Sequence, residues 1–151
     1  MRRSNASMPC RWLMENEEPS FILDYGCGHG KDIEAFSEGG WEVLGYDPHY
    51  FPDRPKGHFD WVLCSYVLNV IEDPQEREEV ISDLNKLGTK VLIAIRHPKN
   101  IPTGNGTPFN DGILTRTGTF QKGFTVKNLQ TLTGSNYKVW RHKHAVFALK
   151  D

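Results

Sequence analysis

An excess of charge of either sign is missing from this chain. Eighteen Lys and Arg stand against 19 Asp and Glu, a formal net charge of -1, so no bulk positive field draws the protein to nucleic acid, although a local basic patch stays open. Long apolar runs are missing too. None approaches the roughly 20 residues needed to cross a bilayer, and the start Met1-Arg2-Arg3-Ser4-Asn5-Ala6 lacks the apolar core of a signal peptide. The expectation is a cytoplasmic protein with no membrane partner. Cysteine is scarce: Cys10, Cys27 and Cys64 are odd in number and lack C-x-x-C spacing, which argues against a disulfide framework or a cysteine-held zinc. The six histidines are scattered. His142 and His144 alternate along an expected strand and so face one way, but no acid or cysteine cluster joins them, and no metal site is expected. No internal repeat or low-complexity tract is present.

What is present is organised around Phe21-Ile22-Leu23-Asp24-Tyr25-Gly26-Cys27-Gly28-His29-Gly30. A short apolar run ends in an acid and breaks into alternate glycines, which predicts a strand, a tight glycine loop and then a helix from Lys31 with Ile33 and Phe36 on one face, stopped by Gly39-Gly40. The order D-x-G-x-G-x-G differs from the dinucleotide pattern G-x-G-x-x-G, whose third glycine comes one residue later so that the helix start faces a pyrophosphate. A carboxylate at the loop mouth suits an amine-bearing or cationic ligand better than a diphosphate.

At 151 residues the chain is expected to form one domain with a real core. Residues 1–19 read as an N-terminal helix region, with Ser7 as N-cap and Pro9 in the first turn; the helix either covers the sheet or brings Arg2, Arg3 or Arg11 to the ligand. A second strand, Trp41–Asp47, again ends in an acid. Asp47 lies 17 positions after Gly30, near where an open α/β sheet places the carboxylate that binds both ribose hydroxyls of a nucleoside. The three prolines of Pro48–Gly57 exclude a regular helix or central strand, and Tyr50 and Phe51 are left either to pack beside an adenine or to fill the sheet edge. Phe59–Tyr66 reads as a central parallel strand. A helix follows over Gln75–Leu87, its stripe formed by Val80, Ile81, Leu84 and Leu87. Lys90–Arg96 is a further strand ending in a cation. Residues 97–124, with turn signals that include Pro102, Thr103 and Asn105, read as a long substrate loop or lid, the alternative being a β-hairpin arm. Thr125 caps a last helix over Val126–Leu132, and two strands, Tyr137–Arg141 and Ala145–Leu149, form an antiparallel edge.

The Asp24–Gly30 pattern resembles motif I of the class I S-adenosylmethionine-dependent methyltransferases. Phe59-Asp60-x-Val62, Tyr66-Val67-Leu68-Asn69-Val70-Ile71-Glu72-Asp73-Pro74 and Asp111-Gly112-Ile113-Leu114-Thr115-Arg116-Thr117-Gly118-Thr119-Phe120-Gln121-Lys122 are similar to segments of the DNA-phosphorothioation-associated methyltransferase group and of related small bacterial and phage methyltransferases. The resemblance implies an α/β, Rossmann-like three-layer sandwich with a mostly parallel sheet, order 2-1-4-5-7-6 in family labels, the third strand missing, and an antiparallel edge strand. It implies S-adenosylmethionine as cofactor and S-adenosylhomocysteine as product. Asp24, Tyr25, Gly26, Cys27, Gly28, Gly30 and Asp32 would surround its methionine part, Asp47 with Pro48 its ribose, and Ser65, Tyr66 and Val67 its adenine or methionine backbone. Asn69 stands where the broader superfamily has His, and the Asp/Asn-Pro-Pro-aromatic motif of the enzymes that methylate exocyclic base amines is absent, which counts against that reaction on adenine or cytosine in DNA.

No residue announces itself as a general base. Tyr66, Asn69, Arg96 and Gln121 are the expected residues around the transferred methyl; Asn69 and Gln121 could orient an amine or hydroxyl but not deprotonate it. Arg11, Arg116, Phe120 and Lys122 are candidates for the acceptor, by charge and by stacking. The acceptor, a nucleic acid or nucleotide versus a small metabolite, stays open. So does a non-catalytic reading, a cofactor-binding subunit that activates a partner methyltransferase, and with it a partner subunit or a homodimer.

Overall fold

The computed structural model describes residues 5–101, 104 and 106–151; Arg2 and Arg3 and the turn signals at Pro102, Thr103 and Asn105 lie outside the described residues. Its elements are α1 (Met8–Asn16), β1 (Phe21–Tyr25), α2 (Lys31–Glu38), β2 (Glu42–Tyr46), β3 (Phe59–Ser65), α3 (Pro74–Leu87), β4 (Gly88–Arg96), the short strands β5 (Thr107–Phe109), β6 (Gly112–Leu114) and β7 (Phe120–Gln121), α4 (Val126–Thr133), β8 (Lys138–His142) and β9 (Ala145–Lys150). Six strands form one sheet in the order β2-β1-β3-β4-β9-β8. β1 runs parallel to both β2 and β3, and β8 antiparallel to β9. This is the expected order, with β2 at the edge where the family's third strand would lie. No helix among the described residues is long and apolar enough to cross a membrane.

By their contacts the residues divide into two compact units, 1–65 with 84–92 and 151, and 66–83 with 93–150. In the first, Ile22 and Leu23 of β1 and Val62, Leu63 and Cys64 of β3 are fully buried, each large aliphatic side chain adding about 1.5–3 kcal/mol of apolar burial. α2 packs on β2, and Gly45 permits it: a Cβ there would meet the Ile33 side chain and approach the Cys27 sulfur to 2.8 Å. Ser7 caps α1 by accepting from the Cys10 N–H, at 3.3 Å.

In the second unit α4 packs on β8 and β9, opened by a capping box in which the Thr125 and Asn128 side chains each accept from the other's N–H. The segment expected as a substrate loop or lid, with a β-hairpin arm as the alternative, carries a small antiparallel sheet, β5-β6-β7. Arg77 of α3, only 3% exposed, ties this sheet down: its Nη1 and Nη2 donate to the two Asp111 carboxylate oxygens at 2.6 and 2.9 Å, and its Nε donates to the Ile71 carbonyl at 2.8 Å. The expected alternation of His142 and His144 along one strand does not occur. β8 ends at His142, and Lys143, at φ 54°, turns the chain so that His144 precedes β9.

The Arg77–Asp111 clamp is testable. The guanidinium, bonded directly to the carboxylate, holds the Asp111 carboxyl below its ordinary pKa against a smaller opposing effect of burial, so its contribution is present above the unfolded-state pKa and lost as pH falls through the folded-state one. Asp111→Asn should lower urea-unfolding stability at pH 7 by about 1–3 kcal/mol, with the gap to wild type closing in acid. Equal midpoints at pH 7 would mean that the clamp contributes nothing.

Candidate functional site

In the first unit the glycine loop is built from β1 and β2. Gly26 and Cys27 both donate their N–H to the Tyr46 carbonyl, at 2.6 and 3.0 Å, and the next amide, Gly28, donates to Asp47 Oδ2 at 2.9 Å. Gly28 adopts φ 55°, and a Cβ there would meet nothing within 4 Å, so glycine serves here for its backbone and leaves open space above the loop. Asp47 Oδ1 accepts from the N–H groups of His49 and Tyr50, at 2.9 and 3.2 Å. Burial works to raise the Asp47 pKa, but these three amides and the nearby His49 outweigh it and hold the carboxyl below its ordinary value. It is a fixed anion whose oxygens keep lone pairs for further donors.

Asp24 is different. It is 2% exposed, and its Oδ2 has no hydrogen-bond partner. Burial first, then the charges of Asp32 and Asp47, push its pKa well above the ordinary carboxyl range. A buried acid left without a donor is costly, and an ammonium or other cationic donor is the chemistry that would relieve it. The donor set therefore fits an amino-acid-bearing nucleoside: an orphaned acid at Asp24, an open glycine loop, and a hydroxyl-accepting acid at Asp47. The aromatic group beside it consists of Tyr50, 48% exposed, with its ring 4.1 Å from that of His29, and Phe51, 43% exposed and adjacent to Gly30.

Other expected residues of this unit are engaged elsewhere. Asp32 accepts from the Ser7 N–H and Oγ, at 2.8 and 2.6 Å, so both of its oxygens secure α1, while its charge also acts on Asp24. Arg11 donates to the Ala6 carbonyl, at the start of its own helix. Tyr25 is buried against the Tyr46 ring, at 5.2 Å. Pro48 is exposed in the turn after β2. Cys27 is pushed up to about 12 by burial and then by Asp24 and Asp47, an inert thiol at neutral pH. The Ser65 hydroxyl is buried without a partner.

The second unit gathers the residues expected around the methyl acceptor. Tyr66 adopts φ 59°, a left-handed backbone that costs a bulky residue about 1–2 kcal/mol; such strain is found preferentially at working sites. The Arg96 guanidinium lies 5.1 Å from the centre of its ring, and its hydroxyl is 3.4 Å from His144 Nε2. Asn69, 2% exposed, donates through Nδ2 to Gln121 Oε1 at 3.0 Å, while its own Oδ1 has no partner. The Lys122 N–H binds the Asn69 carbonyl at 2.7 Å. Four expected residues thus form two contacting pairs, Tyr66 with Arg96 and Asn69 with Gln121. Val67 is half-buried between them in the chain. Phe120 is a correction: it is 6% exposed, packed under Gly112 with Arg77 over its ring, so it fills the small sheet and offers no stacking face. Arg116 is exposed in the turn between β6 and β7. Sequence reasoning missed His144 and Arg77; the lone cation between Glu76 and Glu78-Glu79 was the one local signal for Arg77.

A family model described as a methyltransferase domain matches residues 2–100, about two thirds of the chain, and the chain belongs to that family. No curated protein matches it. Among solved structures it is similar to a sugar N-methyltransferase from Streptoalloteichus sp. ATCC 53650 (TM-score 0.71, 11% identity, covering 98% of this chain and 89% of that one). It is also similar to an S-adenosylmethionine-dependent methyltransferase from Methanosarcina mazei (0.67, 17%, 96% and 98%). A third likeness is to the 1,6-didemethyltoxoflavin N1-methyltransferase of Burkholderia thailandensis, crystallised with S-adenosylhomocysteine (0.65, 18%, 98% and 77%). At these identities the likeness establishes the Rossmann-like methyltransferase fold.

The raised Asp24 pKa has a stability consequence. Wild type loses stability as pH rises through the folded-state value, because the fold resists the ionisation that the unfolded chain accepts. Asp24→Asn escapes this loss and should melt higher at pH 8, by about 3 °C or more, with the difference shrinking toward pH 4. A lower melting point for the variant at pH 8 would show that the ionised carboxylate stabilises the fold.

Proposed function

We propose that this protein transfers a methyl group from S-adenosylmethionine to an acceptor, releasing S-adenosylhomocysteine. The observation that carries the reading is the pairing of a buried, donor-starved Asp24 with an Asp47 carboxylate that holds the glycine loop, together with membership of the methyltransferase-domain family. When bound, the cofactor supplies an electrophilic methyl on a sulfonium sulfur. Asp24 would take the cofactor's ammonium, the backbone at Gly26–Gly30 would let the methionine part lie close, and Asp47 would accept the ribose hydroxyls. The acceptor's lone pair forms the bond to the methyl carbon as the carbon–sulfur bond breaks, its electron pair staying on sulfur.

The finer resemblance, to the DNA-phosphorothioation-associated group, rests on Phe59-Asp60-x-Val62 and on two longer chain segments, Tyr66–Pro74 and Asp111–Lys122. Their contact through Asn69, Gln121 and Lys122 supports reading them as one functional assembly.

Calorimetry with S-adenosylmethionine and S-adenosylhomocysteine tests the cofactor. Asp47→Ala should weaken both by about 2–4 kcal/mol, the loss of charge-assisted hydrogen bonds. Unchanged affinity would remove Asp47 from the ribose, and no binding to wild type would remove the methyl-transfer reading.

A further inference from the structure

The net charge of -1 conceals a segregation. From Ile93 to Lys150 the chain carries nine Lys or Arg and a single acid, Asp111; the other 93 residues carry nine cations and 18 acids. Charge asymmetry of this kind points to a polyanionic partner. Asp111 is already bound on both oxygens by Arg77.

The second unit ties together the segments that carry several of these cations, beginning at Tyr66. Arg96 lies over its ring. The His97 N–H binds the His144 carbonyl at 3.2 Å, and the Lys99 N–H binds His97 Nδ1 at 3.1 Å. On the β8–β9 turn Arg141 Nε donates to the Lys143 carbonyl at 3.2 Å. The Phe124 N–H binds the Arg96 carbonyl at 2.9 Å, and Lys122 Nζ lies 5.2 Å from the Phe124 ring centre. Among the described residues, no carboxylate forms an ion pair with Arg96, Lys99, Lys122, Arg141 or Lys143. The crowding of positive charge registers on His97, whose pKa falls through burial and then through Arg141 and Lys99.

We propose that this cluster of cations, in which only Lys122 lies near an acid, its Nζ donating to the Asp111 carbonyl at 3.3 Å, binds the phosphate backbone of a single-stranded nucleic acid, which is the methyl acceptor. The proposal rests on the methyl-transfer reading above. Five cations spread over the end of β4, β7 and its exit and the β8–β9 turn exceed what one carboxylate or phosphate can neutralise, and they match several successive phosphates. Beside them stand Tyr66, an aromatic surface, and the half-buried Gln121, held by Asn69, whose side-chain amide can read a base edge once a strand is unpaired. A lipid surface fits less well: the exposed large apolar residues of this unit, Val70, Phe109 and Val126, are not members of the cluster, and interfacial binding needs apolar anchors next to the charge.

Fluorescence anisotropy of the full chain with a labelled mixed-sequence 20-mer, in RNA and DNA versions, tests it across a salt series. Affinity should fall with salt at a log–log slope of about -3, corresponding to four or five phosphates at about -0.7 each. Lys99→Glu/Lys143→Glu should bind at least about tenfold more weakly at 100 mM salt and flatten the slope by about 1.4, while Lys56→Glu, in the other unit, should leave both unchanged. Preference for one version over the other identifies the acceptor as RNA or DNA. No binding at low ionic strength, an affinity matched by a mononucleotide or by phosphatidylserine vesicles, or an unaltered double variant would each overturn the proposal. Calorimetry with S-adenosylmethionine on the same preparation keeps the two readings apart. Cofactor binding without oligonucleotide binding removes only the nucleic-acid acceptor, whereas oligonucleotide binding without cofactor binding leaves a binding surface and removes methyl transfer.

Discussion

Three successive amides, those of Gly26, Cys27 and Gly28, end on two successive residues at the end of β2, the Tyr46 carbonyl and the Asp47 carboxylate. This junction is the constraint from which the first unit's site follows. It sets the path of the glycine loop, and it turns Asp47 from a surface acid into a fixed anion. It also requires Gly45, one residue earlier in β2, to be small, because Ile33 of α2 and the Cys27 sulfur occupy the space where its Cβ would go. A side chain at Gly45 would push α2 off the strand whose end holds the loop.

Asp24 stands beside this arrangement and opposes it energetically. An acid 2% exposed, with two other carboxylates raising its pKa further, makes the fold less stable than it would be with a neutral side chain there. Such a residue is intelligible as a site residue whose cost is offset when a cationic partner arrives, the usual trade between stability and function. The second unit shows the same pattern in other terms: a left-handed Tyr66, an unpartnered Asn69 Oδ1 and a set of unneutralised cations. In each unit, strain and unsatisfied polarity collect at a few residues, while the packing around them is ordinary.

The 97–124 segment shows where reading by composition reaches its limit. Its prolines, glycines and threonines signal a loop, and locally they are turn formers. What gives the segment order is a distant partner, Arg77, whose guanidinium reaches Asp111 from α3 and lies near the Phe120 and Phe124 rings. No local pattern encodes an ion pair between residues 34 positions apart. Phe120 illustrates the same limit: an aromatic in a polar segment is a plausible stacking surface until the short sheet closes over it.

By itself the sequence determined the order and type of the main elements, the position of the glycine loop and the two acids at strand ends, because these depend on local periodicity, on glycine and proline conformation, and on fixed spacings along strands. Tertiary structure alone decided which side chains are free to meet a ligand. Asp32 and Arg11 bond within the fold, Asp24 is left without a donor, and His144 comes up to Tyr66 only because Lys143 turns the chain one residue before it. These outcomes depend on which distant groups a side chain finds, and hydrogen-bond partners are assigned by the packing of the whole unit.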